Sequence, residues 1–311
     1  MHLVPTGAGA IVVGVGEESQ MTPAELQAVD CIGMGRFVPQ QAKAVVDMVR
    51  KRGLLVSDPP DFSGTGIAIA GGGKYLSWTW VLLRHLRDTL KCQLPIQVWH
   101  LGPREMPGQS VKILEAFGAE VMDAHRMMMK HPVREMNGWI LKTYAVRHCP
   151  WRNVMFIDAD CFPQVLPEEI FNDADVNRHG SLFFNDVGKH HSAWGYVDCG
   201  LLPLEDEWET GQFVWDKTAG WMALRWAMWM SEHTDVFYQN FHGDKGVIEA
   251  AFRMSQNPHI LGEKSEWEGF GIGHYLKGKN VFRHMMATKR GDWPMEPWMR
   301  AAFEEWKTIK L

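Results

Sequence analysis

The sequence predicts an α/β fold with a mostly parallel central sheet flanked by helices, followed by an irregular C-terminal half. Short apolar strands alternate with amphipathic helices from residue 66 onward, which is typical of parallel strands joined by right-handed crossovers. Glycines or polar residues follow most of these strands, and ligands of such sheets bind beyond the carboxyl ends of the strands. The 311 residues suffice for one large α/β domain or two small ones.

The predicted elements run in chain order through three regions. Residues 1–62 are predicted as an N-terminal extension whose one clear helix, at 40–52, ends at a glycine. The main domain, 63–290, divides at residue 165. Its first half contains strands at 66–73, 95–102, 119–124 and 153–158 and helices at 74–90, 109–117 and 138–149. Its second half contains a strand at 181–186, an irregular stretch at 187–215, and helices at 218–232 and 244–255, before a C-terminal helix within 291–311.

Composition limits the classes of function. The formal net charge of −5 gives no electrostatic reason to expect a polyanionic partner. The five cysteines are odd in number and lack metal-ligand spacing, so neither a disulfide framework nor a structural zinc site is predicted. The N-terminus has no basic segment before its short apolar stretch, and no apolar run is long enough to span a membrane. We therefore expect a soluble cytoplasmic protein; its oligomeric state is not indicated.

Asp158 and Asp160 directly follow the apolar run 154–157. In an extended segment residues i and i+2 point the same way, so both carboxylates can face one point. Two such charges repel each other unless a cation lies between them, and Mn²⁺ or Mg²⁺ prefers oxygen ligands of this kind. The alternative is a strand end whose solvated acids form a turn or cap a helix. A second pair, Asp173 and Asp175, follows no apolar strand and is predicted to lie in a loop.

Several blocks around this pair occur in the order of a known family: IAGGGKYL, LPIQVWHLG, GAEVMDA, GWILKTYAV, VMFIDAD, ETGQFVWDK and GDKGVIEAAF, between about residues 66 and 255. Through them the chain resembles GT-A fold glycosyltransferases, and within these the fungal-type α-1,3-mannosyltransferase family, with glycogenin-like features. The resemblance implies a nucleotide-diphosphate sugar donor, GDP-mannose or a UDP-hexose, a Mn²⁺ or Mg²⁺ ion at the paired aspartates, and retention of configuration. Residues 63–165 would then bind the donor and 166–290 the acceptor.

The resemblance also implies roles for particular residues. A glycine-rich turn after a strand lets a phosphate approach closely, although it can equally be a tight turn with an exposed lysine. The implied donor-binding residues are Gly71, Gly72, Gly73, Lys74, Lys142, Asp158 and Lys289. The implied metal ligands are Asp158, Asp160 and His284, with His274 as the alternative third ligand. For either histidine, a structural role is the ordinary alternative.

Two mechanisms stay open at this point. In a front-face route the leaving phosphate takes the acceptor proton and no strong protein base is needed. A double displacement needs a carboxylate beneath the anomeric carbon, and the candidates are Asp186, Glu209 and Asp244. Further sugar or acceptor contacts are assigned to Asn185, Gln212, Lys217 and Lys245. Asp244 and Lys245 could instead be a helix cap and a solvated cation.

The resemblance implies that the acceptor is a glycan or another hydroxyl-bearing molecule, and the basic pair Lys289-Arg290 leaves a modified DNA base as a further candidate. Two other classes of function compete. A haloacid dehalogenase-type phosphatase also has two aspartates after a strand, but it needs Thr or Val where this chain has Phe162, and its motif opens the domain. A non-catalytic sugar-nucleotide binding module is the non-enzyme alternative.

Overall fold

The computed structural model describes residues 3–4, 11–12, 39–189, 193–202, 206–241, 243–269, 271–285 and 296–309. Most of the predicted N-terminal extension lies outside the described residues, and so do Lys289 and Arg290.

The strands form three sheets. In chain order they are β1 (Leu3–Val4), β2 (Ile11–Val12), β3 (Thr65–Ala70), β4 (Ile96–His100), β5 (Ala119–Asp123), β6 (Asn153–Asp158), β7 (Cys161–Pro163), β8 (Ser181–Lys189), β9 (Asp206–Asp216), β10 (Ile260–Leu261), β11 (Glu266–Glu268), β12 (Gly271–Leu276) and β13 (Lys279–His284). The central sheet has the order β10-β8-β9-β6-β3-β4-β5. Its neighbours pair in parallel except on both sides of β9, which is antiparallel to β6 and to β8. The predicted α/β class with a mostly parallel central sheet is confirmed.

The helices are α1 (Pro39–Arg52), α2 (Leu76–Arg84), α3 (Gly108–Ala116), α4 (Ala124–Met128), α5 (Ile140–His148), α6 (Pro167–Phe171), α7 (Ala174–His179), α8 (Ala193–Asp198), α9 (Trp221–Ser231), α10 (Thr234–Phe237), α11 (Asp244–Ser255) and α12 (Pro297–Thr308). A short 3-10 turn at Gly73–Tyr75 leads into α2, and a π-helical turn at His85–Thr89 continues it.

Helices cover both faces of the central sheet, which explains why its strands are apolar runs rather than alternating patterns. On one face, side chains of α1, α5, α9 and α11 join a cluster that contains Phe156 stacked on Phe213, with ring centroids 5.2 Å apart. On the other face α2 and the C-terminal helix α12 pack together, and Trp80 meets Trp306 at 5.6 Å. Thus α1 and α12, the first and last of the described helices, both contribute to the core.

The prediction of an irregular stretch at 187–215 is wrong. β8 continues to Lys189, and β9 occupies a central place in the sheet with every residue from Glu207 to Asp216 buried. The acids and glycine of this segment are typical of a loop. They are tolerated in a buried strand because partners distant in the sequence compensate them: Lys245 lies 3.2 Å from Glu207, and His284 lies 3.5 Å from Glu209.

A small antiparallel sheet, β11-β12-β13-β7, joins the C-terminal part of the chain to the segment after β6. In its register His284 lies opposite Cys161, and the Met285 N–H donates to the Asp160 carbonyl at 2.9 Å. This pairing is what brings a C-terminal histidine beside the paired aspartates.

Candidate metal and donor site

The sheet edge at the end of β6 collects the polar residues of the candidate site. Asp158 is the last residue of β6 and pairs in register with Ala70, the last residue of β3. The glycine turn that begins at Gly71 therefore lies next to Asp158. His100 and Asp123 end the next two strands at the same edge and are in register with each other. The expectation that this edge gathers the polar residues is met by the geometry.

The glycine turn is shaped by backbone constraints. Gly72 and Gly73 have φ angles of 99° and 54°, which residues other than glycine rarely adopt. A Cβ on Gly71 would lie 2.5 Å from the Thr79 hydroxyl. The N–H groups of Gly71 and Gly73 donate to backbone carbonyls at 2.9 and 2.7 Å, so the turn offers close approach rather than a nest of free N–H groups. Lys74 is exposed and available to an anion.

Lys142 is the buried cation of the site. Its ammonium lies 2.6 Å from Asp244 Oδ2 and 3.3 Å from Asp158 Oδ2, and it donates to the Thr210 carbonyl at 2.6 Å. Burial disfavours its charge, but Asp158 and Asp244 outweigh burial and raise the pKa of Lys142. The Thr210 hydroxyl also donates to Asp244 Oδ2 at 2.9 Å. The ammonium is thus fixed between the two carboxylates.

Asp158 and Asp160 differ in their surroundings. Burial raises the pKa of Asp158 to about 6, with Lys142 opposing this change and Asp160 adding to it. Asp160 is more deeply buried, and its Oδ1 lies 3.5 Å from His284 Nε2. Burial disfavours a charged His284 ring, but Cys161, Asp160 and Glu209 together raise its pKa well above the usual value. The carboxylates of Asp160 and Glu209 and the ring of His284 thus converge on one buried point.

The donor set around His284 fits a divalent cation. Both ring nitrogens are buried and lack a hydrogen-bond partner among the described residues, which is unusual for a buried imidazole. Atoms of Asp160, Cys161 and His284 lie within 4.8 Å of one another. Two ligands at right angles on an ion with bonds of about 2.1 Å are about 3 Å apart, close to the 3.5 Å between Asp160 and His284. A Cβ on Gly211 would lie 2.9 Å from the His284 ring, so this glycine keeps the space open.

His274, the alternative third ligand, has a different environment. Its Nδ1 shares a hydrogen bond with the Ser265 hydroxyl at 2.7 Å, and burial lowers the pKa of its ring to about 4. It is not among the three residues that cluster at Asp160. The structure therefore favours His284 for this position.

The predicted sugar and acceptor residues fall into two groups. Lys245, at the start of α11, lies 2.7 Å from Asp186 and 3.2 Å from Glu207. Asn185 precedes Asp186 and pairs in register with Trp208. Gln212 is fully buried opposite Ile157, one residue behind the sheet edge, and its amide has no hydrogen-bond partner among the described residues.

Lys217 does not belong to this site, which corrects its assignment to sugar or acceptor binding. It follows β9, and because β9 is antiparallel its carboxyl end lies at the opposite edge of the sheet, where the Lys217 N–H donates to the Arg152 carbonyl. The ammonium is buried, donates to the Cys149 carbonyl at 2.5 Å and lies 3.7 Å from the Phe62 ring centroid. These contacts give Lys217 a structural role.

The second aspartate pair begins a helix rather than lying in a loop. Asp173 caps α7 by accepting from the N–H groups of Asp175 and Val176. Lys277 then neutralises both acids, at 2.8 Å from each. This pair is accordingly a helix cap with its own cation.

Four residues that the sequence did not single out contribute to the site. Thr210 fixes Lys142 and Asp244. Glu207 lies beside Lys245, Cys161 beside His284, and Gly211 leaves room for that ring. Thr210 and Gly211 lie within the ETGQF block, and Cys161 directly follows Asp160. Their closeness in sequence to these motifs is the signal that could have predicted their place in the site.

The fold and the acidic edge with its buried lysine define an α/β protein with a candidate metal and anion site, and comparison with known proteins narrows this class. Residues 64–196 match the model of a family described as "Mannosyltransferase putative". The α-1,2-mannosyltransferase MNN2 of Saccharomyces cerevisiae is 26% identical over 173 residues, 54% of this chain and 28% of that protein. The α-1,2-mannosyltransferase MNN21 of Candida albicans is 23% identical over 167 residues, 50% of this chain and 25% of that protein.

In sequence, the chain is therefore similar to mannosyltransferases over about half of its length. The chain spans little more than a quarter of the length of the two curated relatives. Both are named as α-1,2 enzymes, so the α-1,3 family expected from the motifs is not confirmed. Among solved structures, the galactosyltransferase LgtC is similar with a TM-score of 0.45 and 10% identity, over 63% of this chain and 73% of that one. Among the described residues no helix combines the length and apolar composition needed to cross a membrane.

Proposed function

We propose that the chain is a metal-dependent mannosyltransferase that moves the sugar of GDP-mannose to a glycan hydroxyl. The observation that carries the proposal is the convergence of Asp158, Asp160, Lys142 and His284 at one sheet edge, inside the segment that resembles mannosyltransferases or facing it. A UDP-hexose is the alternative donor. The names of the two curated relatives favour an α-1,2 linkage.

Charge supports the dependence on a metal. Asp158, Asp244 and Glu209 act on the ammonium of Lys142, and Asp160 adds a fourth carboxylate beside Asp158 and His284. With His284 neutral, as a metal ligand must be, the site has a net charge of −3. A diphosphate would be repelled from such a site, and a Mn²⁺ or Mg²⁺ ion held by Asp160, His284 and Asp158 would neutralise the leaving diphosphate.

The protein residues have defined tasks in this proposal. The glycine turn at Gly71–Gly73 lets the donor approach the sheet edge, where the exposed ammonium of Lys74 can pair with a phosphate. Lys142 holds Asp158 and Asp244 in place and adds positive charge beside the diphosphate.

The carboxylates favour the front-face route and retention. Asp186 is paired with Lys245, and Asp244 with Lys142. Glu209 accepts from the Gly211 N–H at 2.8 Å and lies against His284, which holds its pKa below the usual value although burial opposes this. Asp186 and Asp244 are therefore each already engaged by a lysine, and Glu209 is held by a backbone N–H beside His284. In the front-face route the acceptor hydroxyl loses its proton to the departing phosphate oxygen as the new glycosidic bond forms.

A transfer assay tests the proposal. The purified chain is incubated with Mn²⁺, an α-mannoside acceptor and GDP-mannose, UDP-glucose or UDP-galactose, and nucleotide release and product linkage are measured. We expect GDP release with formation of an α-linked product, abolished in D160N and retained in D175N, which alters the second aspartate pair. Equal turnover by D160N would refute the metal assignment. Hydrolysis of simple phosphomonoesters instead of transfer would indicate the phosphatase alternative.

A further inference from the structure

A second polar cavity lies at the far end of helix α5 from Lys142. Its volume is about 330 Å³, it is partly open to solvent, and it is lined by the C-terminal turn of α5, by α9 and by the segment 130–133. The candidate active site uses none of these residues. The cavity is lined by Arg147, Arg225 and Lys130, with Glu232 as its one acid.

The two arginines of this cavity form no close ion pair with any described residue, although Glu232 acts on Arg147 from a greater distance. In the part of the chain that the structure describes, neither guanidinium lies within 4.0 Å of a carboxylate. Both side chains are half-buried. Burial and the like charge of Arg225 lower the pKa of Arg147, while burial raises the pKa of Glu232. Two partly desolvated cations that repel each other would be stabilised by a bound anion.

The guanidinium groups are also held in fixed positions. Arg147 packs over the Trp221 ring at 4.9 Å from its centroid. The Arg225 Nε donates to the Leu55 carbonyl at 3.2 Å, which leaves its terminal N–H groups for another acceptor. Such preorganised forks suit the oxygens of a phosphate group.

We propose that this cavity binds the phosphate group of a phosphate monoester. Its three cations and one carboxylate give a net charge of +2, which matches a dianionic monoester better than a single carboxylate. The apolar side chains of Met228 and Trp229 line the rest of the cavity and would contact the organic group that carries the phosphate. The site stands independently of the transferase function, since it shares no residue with the acidic edge.

Binding is tested by calorimetric titration of the full chain with inorganic phosphate, a hexose phosphate and glucuronate. EDTA is present and ionic strength is fixed, so that no cation at Asp160 contributes. We expect saturable binding of the hexose phosphate, weakened about tenfold or more in R147Q and in R225Q, because a charge-assisted hydrogen bond contributes at least this much. R178Q, which removes an exposed arginine on α7, should bind as the wild type does.

A gain-of-affinity variant guards against simple misfolding. E232Q removes the only acid of the cavity and should bind the hexose phosphate several-fold more tightly. The proposal is overturned if no saturable binding is found, if R147Q and R178Q bind equally, or if E232Q binds more weakly than the wild type. Equal affinity for glucuronate and the hexose phosphate would contradict the dianion assignment.

Discussion

Replacing Lys142 with methionine should destabilise the protein strongly, because it removes the buried cation that lies between two half-buried carboxylates. The Lys142 side chain is 7% exposed, and its ammonium lies 2.6 Å from Asp244 and 3.3 Å from Asp158. Methionine fills nearly the same space, so little packing is lost. What remains is a pair of acids facing each other without a counter-charge.

The size of the effect follows from this geometry. Removing one partner of a buried ion pair costs about 3–5 kcal/mol, and the Thr210 carbonyl also loses its donor. We expect K142M to lower the free energy of unfolding by about 4 kcal/mol. For a chain of this size that corresponds to a melting temperature lower by about 10 °C.

The loss should also depend on pH in a defined direction. The pKa of Asp158 is already raised to about 6 in the folded protein, and without Lys142 it rises further. A raised folded-state pKa means that the folded state binds more protons, so stability is gained as the pH falls through that value. The deficit of K142M should therefore shrink between about pH 8 and about pH 5.

The assay is thermal and urea unfolding in EDTA, with K217M as the matched control. Lys217 is also a buried lysine, but it has no carboxylate partner among the described residues, and burial lowers its pKa to about 8. K217M removes a donor from two backbone carbonyls, those of Arg147 and Cys149, but leaves no carboxylate unpaired, and it should cost about 1–3 kcal/mol. Equal losses in the two variants, or a K142M deficit that does not change with pH, would refute the reasoning.

Three further predictions concern other parts of the molecule. Gly211→Ala places a Cβ 2.8 Å from Cys161 Sγ and 2.9 Å from the His284 ring, so calorimetry should show Mn²⁺ binding weakened at least tenfold. The control is Gly108→Ala, whose Cβ would have no atom within 4 Å, and this variant should bind Mn²⁺ as the wild type does. Trp306→Ala removes a buried ring packed on Trp80 and should cost about 3–5 kcal/mol in urea unfolding, and a loss below about 1 kcal/mol would contradict the role of α12 in the core. Burial lowers the pKa of His148 to about 3, so the unfolded chain binds an extra proton and the free energy of unfolding falls as the pH drops below about 6.5. His148→Gln should reduce the slope of this fall by up to about 1 kcal/mol per pH unit. An unchanged slope would contradict this prediction.

The first half of the fold could be predicted because its signals are local. The run before Asp158 is apolar, and both its strand and the adjacent glycine turn were expected from short segments of sequence. Local signals also predicted one helix of the second half: α11 was predicted at 244–255 and is observed at Asp244–Ser255, since glycine precedes it and its apolar residues recur at helical spacing.

The centre of the second half could not be predicted because its stability depends on pairs of residues that are distant in the sequence. The sequence of β9 predicts a loop, because the partners of its buried acids, Lys245 for Glu207 and His284 for Glu209, are distant in the sequence. Strand direction is equally non-local: Lys217 follows a strand, as Asp160 does, but the antiparallel course of β9 sends it to the opposite edge. The choice of His284 over His274 depends on the pairing of β13 with β7, which no local pattern fixes.

Mn²⁺ binding measured by electron paramagnetic resonance in the presence of GDP tests the central claim most directly. We predict one tight site in the wild-type chain, weakened at least tenfold in D160N and in H284A and unchanged in D175N. If D160N binds Mn²⁺ as tightly as the wild type does, the paired aspartates are not the metal site, and the proposed mechanism is wrong.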